Sequence, residues 1–147
     1  MQLIYYFVAL VAGMLMPVQT AINHKLSTYV QSPVLSAFVS FVVGAIALFI
    51  FLLVSGTPLN TISNAKNAPP ITWIGGLCGA FFVTAVIMVV PRLGMALTFG
   101  ILILGQMLTT LPVDHFGFLE TPVKEINLPR VIGVVLVIVG AFLIRKF

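Results

Sequence analysis

The sequence predicts an all-α integral membrane protein of five transmembrane helices, and its composition, its apolar runs and its breaks each point that way. Apolar residues make up 61% of the 147 positions and charged residues only 7%, with a mean hydropathy of +1.22. A water-soluble domain of this length cannot hide so much apolar surface, so lipid must act as the solvent. The apolar residues fall in five runs, approximately 2–22, 33–54, 71–90, 94–113 and 129–144. Each is close to the roughly 20 residues a helix needs to cross a hydrocarbon core about 30 Å thick. The breaks between them leave no room for an extramembrane domain, so 1–147 is expected to be a single transmembrane domain.

The first run lacks a basic leader and an A-x-A cleavage pattern, and more long runs follow it, so it is read as a retained helix rather than a secretory signal. The break at 23–32 carries His24, Lys25 and Gln31-Ser32-Pro33, and the break at 55–70 is rich in Gly, Asn, Ser and Pro; both read as loops in water or headgroups. Only Pro91-Arg92-Leu93 separates the third and fourth runs, which places Arg92 at the membrane interface. The segment 114–128 holds all three acidic residues and leads into Leu128-Pro129-Arg130, where a proline suits the first turn of a helix. Arg145 and Lys146 end the fifth span, positioned to snorkel to the headgroups.

The net charge of +4 comes from seven Lys/Arg against three Asp/Glu, scattered singly rather than gathered into a patch, which excludes a nucleic-acid footprint. Cys78 is the single cysteine, so no metal-ligand spacing is present and no cofactor is expected. Five spans would put Lys25, Arg92, Arg145 and Lys146 on one side of the membrane and Lys66, Lys124 and Arg130 on the other. Four against three is a negligible bias under the positive-inside rule, a pattern compatible with insertion in both orientations.

Small residues four or seven apart let helices approach closely in lipid. Ser36, Ser40 and Gly44 form such a line in the second run, Gly75 and Gly79 in the third, and Gly133 and Gly140 in the fifth; these are expected to be packing seams. Polar residues inside apolar runs are the candidates for binding. Gln19 and Asn23 share a face just after Pro17, which frees a carbonyl one turn earlier, although Asn23 could equally cap a helix end. Gln106 lies deep in the fourth run, where an unpaired amide costs several kcal/mol, and facing a polar cavity is its natural explanation. Asp114 follows Pro112 near the interface, where it reads either as a solvated turn residue or as the one carboxylate able to meet a solute. Trp73 begins the third run, where aromatic belts form. The helix cores hold no paired acid and base of the kind an enzyme would need.

In order along the chain, Gln19-x-x-x-Asn23, Ser40-Phe41-x-x-Gly44, Trp73-x-Gly75-Gly76, Pro91-Arg92-x-Gly94, Gly105-Gln106, Asp114-His115-Phe116-Gly117 and Gly133 resemble the YdcZ-like family of the drug/metabolite transporter superfamily. Each motif is short, but their order and spacing span essentially the whole sequence. The resemblance implies a half-size, five-helix unit of the bacterial inner membrane that carries a small metabolite by alternating access. It also implies an antiparallel dimer, formed either by two copies or with a paired homologous chain. In that reading Gln19 and Gln106 line the substrate cavity, which Asn23, Ser40, Trp73 and Asp114 also reach. The alternative is a membrane subunit or assembly partner that transports nothing, its glycine ridges binding another chain.

Overall fold

The computed structural model describes residues 2–146, which contain five α-helices and no β-strand. In order they are α1 (Gln2–Val30), α2 (Pro33–Val54), α3 (Ile74–Leu93), α4 (Met95–Phe116) and α5 (Leu128–Lys146). All five are long and apolar enough to cross a membrane, α3 together with a preceding 3₁₀ turn, Pro70–Trp73. A longer 3₁₀ segment, Leu59–Asn67, lies between α2 and that turn.

The first helix differs from its expected extent. It does not stop at residue 22 but continues to Val30, so the expected 23–32 loop shrinks to a turn at Gln31 and Ser32. Polarity alone does not end a helix, and residues 18–30 contain neither proline nor glycine. The hydroxyls of Ser27 and Thr28 donate to the carbonyls of His24 and Lys25 at 2.7 Å each, a back-bonding that keeps short polar side chains within a helix. Gln31, at φ 53°, then reverses the chain. Ser32 caps α2 by accepting from the Leu35 amide at 3.2 Å, with Pro33 in the first turn.

Pro17, Pro91 and Pro112 all lie inside helices. Each lacks the amide hydrogen that would bond four residues back, a loss that membrane helices tolerate. Pro91 and Arg92 therefore belong to α3 rather than to a loop. The break before α4 is Gly94 alone, whose φ of 78° suits a residue without Cβ.

The described residues divide into two compact units, one up to Met88 and one from Val89 onward. In the first, α1 packs on α2; in the second, α4 packs on α5. The first helix pair meets through Thr20, Asn23 and Ser27 on α1 and Ser36 and Ala37 on α2, all buried. The second meets where a methyl on Gly100 would lie 3.4 Å from the Ala141 Cβ.

The residues expected to form packing seams have different surroundings. Ser36 is fully buried, and Gly79 lies against the Phe41 ring. Gly44, Gly75, Gly133 and Gly140, by contrast, have open space where a Cβ would point. Close approach within the two helix pairs is made at Ser36 on α2 and at Gly100 beside Ala141 on α4 and α5.

Candidate functional site

In the first unit, the antiparallel course of α1 and α2 sets residue 23 beside residue 36. Ser36 Oγ donates to the Asn23 backbone carbonyl at 2.7 Å. Ser40 lies one turn further along α2 and Gln19 one turn back along α1. Together with Phe41, Gly44, Ala45 and Leu48 they line a cleft of about 290 Å³. Its polar groups are the Gln19 amide and the Ser40 hydroxyl, and apolar side chains form the rest. The expected residues Gln19 and Ser40 are thus brought together. Gly44, expected to be a seam residue, lines the same cleft.

Asn23 is mid-helix, which removes the possibility that it caps α1. It is 4% exposed, and its Nδ2 has no hydrogen-bond partner. A buried donor left without an acceptor costs roughly 1–3 kcal/mol, so its position is not explained by packing. His24 Nδ1 beside it is also buried and unpaired. Trp73 lies outside this cleft, 64% exposed at the end of the 3₁₀ turn before α3.

In the second unit, Gln106 is exposed on α4, and its carbonyl receives the Thr110 hydroxyl at 2.7 Å. Asp114 lies two turns further on, in the last turn of α4. Its carboxylate accepts from Arg130 Nη2 at 2.6 Å, with the side chains 22% and 29% exposed. Arg130 Nη1 also donates to the Lys124 carbonyl at 3.0 Å, and the Lys124 amide donates to the Asp114 carbonyl at 2.9 Å. The extended chain before α5 is thereby strapped to the end of α4. The Ile126 amide reaches His115 Nδ1 at 3.4 Å, and Asn127 Oδ1 caps α5 by accepting from the Arg130 amide at 3.0 Å.

Arg130 is a structural residue that the sequence does not single out. A pairing across 16 positions leaves no periodic signature. Thr20 and Ser27 do not stand out either, because hydroxyls within helices commonly satisfy themselves on helix carbonyls.

Five membrane-length helices, two of them flanking a cleft with uncharged polar groups, define a polytopic membrane protein. The family model described as "Putative inner membrane exporter, YdcZ" matches residues 4–143, nearly the entire sequence, and the chain belongs to that family. It is a multi-pass protein of the inner membrane. Comparison with curated proteins and with solved structures gives no match.

Proposed function

We propose that the chain exports a small molecule by alternating access, working as an antiparallel dimer. The observation that carries this reading is the cleft between α1 and α2, where Gln19 and Ser40 face an otherwise apolar wall and Asn23 holds an unpaired donor one turn away. Polar groups within apolar spans cost stability unless they meet something, and in membrane proteins that something is commonly a solute or its path. Gln19, Asn23 and Ser40 are assigned to substrate binding. Gln106 on α4 is assigned a contact of its own, while Asp114 serves the strap through Arg130 and Trp73 serves as an interfacial anchor.

The inverted pair is supported by the even split of Lys and Arg between the two sides of a five-span chain. It is also supported by the uncovered faces at Gly133 and Gly140 of α5. Two identical chains inserted oppositely form a pair about an axis in the membrane plane, like the inverted repeats of larger transporters. Exchange of the two protomers' roles then converts inward-open to outward-open between states of equal energy.

Uptake into proteoliposomes against a metabolite panel tests the reading. Gln19→Leu and Gln106→Leu are expected to abolish flux while the dimer still forms; loss of assembly, with no flux in the parent chain, would instead fit a subunit without transport. C-terminal reporters active on opposite sides of the membrane should both give signal. One strongly preferred orientation would reject self-pairing.

A further inference from the structure

We infer that the cleft between α1 and α2 selects small, uncharged, hydroxyl- or amide-bearing solutes and rejects organic ions; this rests on the transport reading above. Charge comes first. Neither the cleft nor any position before Asp114 contains an acidic side chain. The lysines of the first unit, Lys25 and Lys66, are exposed and outside the cleft. A solute ion entering between α1 and α2 would give up water without meeting an opposite charge there, which is strongly unfavourable in a low-dielectric setting.

Hydrogen bonding comes next. The Gln19 amide can both donate and accept, and so can the Ser40 hydroxyl. The unpaired Nδ2 of Asn23 can only donate. Asn23 is outside the cleft lining but on nearly the same face of α1 as Gln19, one turn along, and its own unmet demand is for an acceptor oxygen. A neutral hydroxyl or carbonyl group supplies one without bringing a charge. Size is the last limit. At about 290 Å³ the cleft falls at the lower end of the roughly 300–1,000 Å³ typical of ligand pockets, and the Phe41 and Leu48 walls favour a compact carbon frame.

The test uses the intact chain in proteoliposomes and three labelled probes of similar size: erythritol as the neutral polyol, choline as the cation and glycerate as the anion. Erythritol counterflow is expected to exceed that of empty vesicles by at least about fivefold. It should return to background in Gln19→Leu and Ser40→Ala, both eluting as folded protein. Choline or glycerate carried as fast as erythritol, and lost in the same variants, would overturn the selectivity while leaving transport intact. If none of the three moves through folded, inserted protein, the transport reading fails together with the selectivity.

Discussion

Ser36 Oγ binds the backbone carbonyl of Asn23 at 2.7 Å, while the side-chain amide nitrogen of the same asparagine has no partner. One residue thus anchors the α1–α2 contact through its main chain and leaves its side chain uncommitted. If the amide is there for a solute, stability and function should separate. Leucine keeps the γ-branched shape of asparagine but is larger, so its replacement of Asn23 sets the removal of an unmet donor, which is worth roughly 1–3 kcal/mol, against an overpacking cost of about the same size. Asn23→Leu is expected to keep the thermal midpoint in detergent close to the parent's while lowering flux at least tenfold. A fall in midpoint with unchanged flux would show that the amide serves packing instead.

Ser36 should respond oppositely, since it is 0% exposed and its hydroxyl joins two helices. Interhelical hydrogen bonds in membranes contribute about 0.6 kcal/mol on average, so Ser36→Ala should lower stability only slightly. Ser36→Leu forces extra volume into the contact, at a cost of about 1–3 kcal/mol. Thermal unfolding followed by size-exclusion chromatography should rank parent, alanine and leucine in that order. A leucine variant as stable as the parent would mean that α1 and α2 are not held this closely.

The contrast between these two residues also shows what could be read from sequence. Apolar runs of helix length reveal the spans, and Ser32-Pro33 marks the start of α2 because a cap and a first-turn proline carry their own chemistry. The end of α1 was not legible: His24, Lys25 and Ser27 are polar, but nothing among them stops a helix, and the positive φ of Gln31 has no residue signature. Gln19 and Asn23 could be paired by their spacing of four. That one would line a cleft and the other lie buried against Ser36 depends on how α2 is rotated, which periodicity does not record. The glycine lines are a related case, since a small residue permits close approach without specifying what approaches.

Gly100 tests the second helix pair in the same way. A Cβ there would stand 3.4 Å from that of Ala141, at the near edge of ordinary contact, so a side chain much larger than alanine must push α5 away. Gly100→Leu is expected to reduce stability by about 1–3 kcal/mol, whereas Gly133→Leu, facing open space, should leave the monomer's stability nearly unchanged. In the antiparallel-pair reading, Gly133→Leu is instead the variant to examine for lost dimer, by cross-linking in the membrane. Equal destabilisation by both would place a neighbour at Gly133 that the chain itself does not supply.

The strap at the end of α4 combines left-handed backbone with a part-buried ion pair. Gly117, Leu119 and Glu120 all have φ between 54° and 64°, conformations that cost a non-glycine residue of order 1–3 kcal/mol each. They persist because Thr121, Lys124 and Arg130 tie the following segment back to Val113 and Asp114. A Cβ at Gly117 would meet Val123 Cγ2 at 2.7 Å and the Thr121 carbonyl at 3.3 Å. Gly117→Ala therefore adds both left-handed strain and a clash exactly where the strap turns, and it should release the segment. Arg130→Gln removes the ion pair but can keep one hydrogen bond to Asp114, so its effect should be smaller. Spin labels at position 124 would read the difference as mobility, with Gly117→Ala most mobile, Arg130→Gln intermediate and the parent most ordered. If position 124 is equally mobile in all three, the bonds to Asp114 do not hold the strap in the membrane.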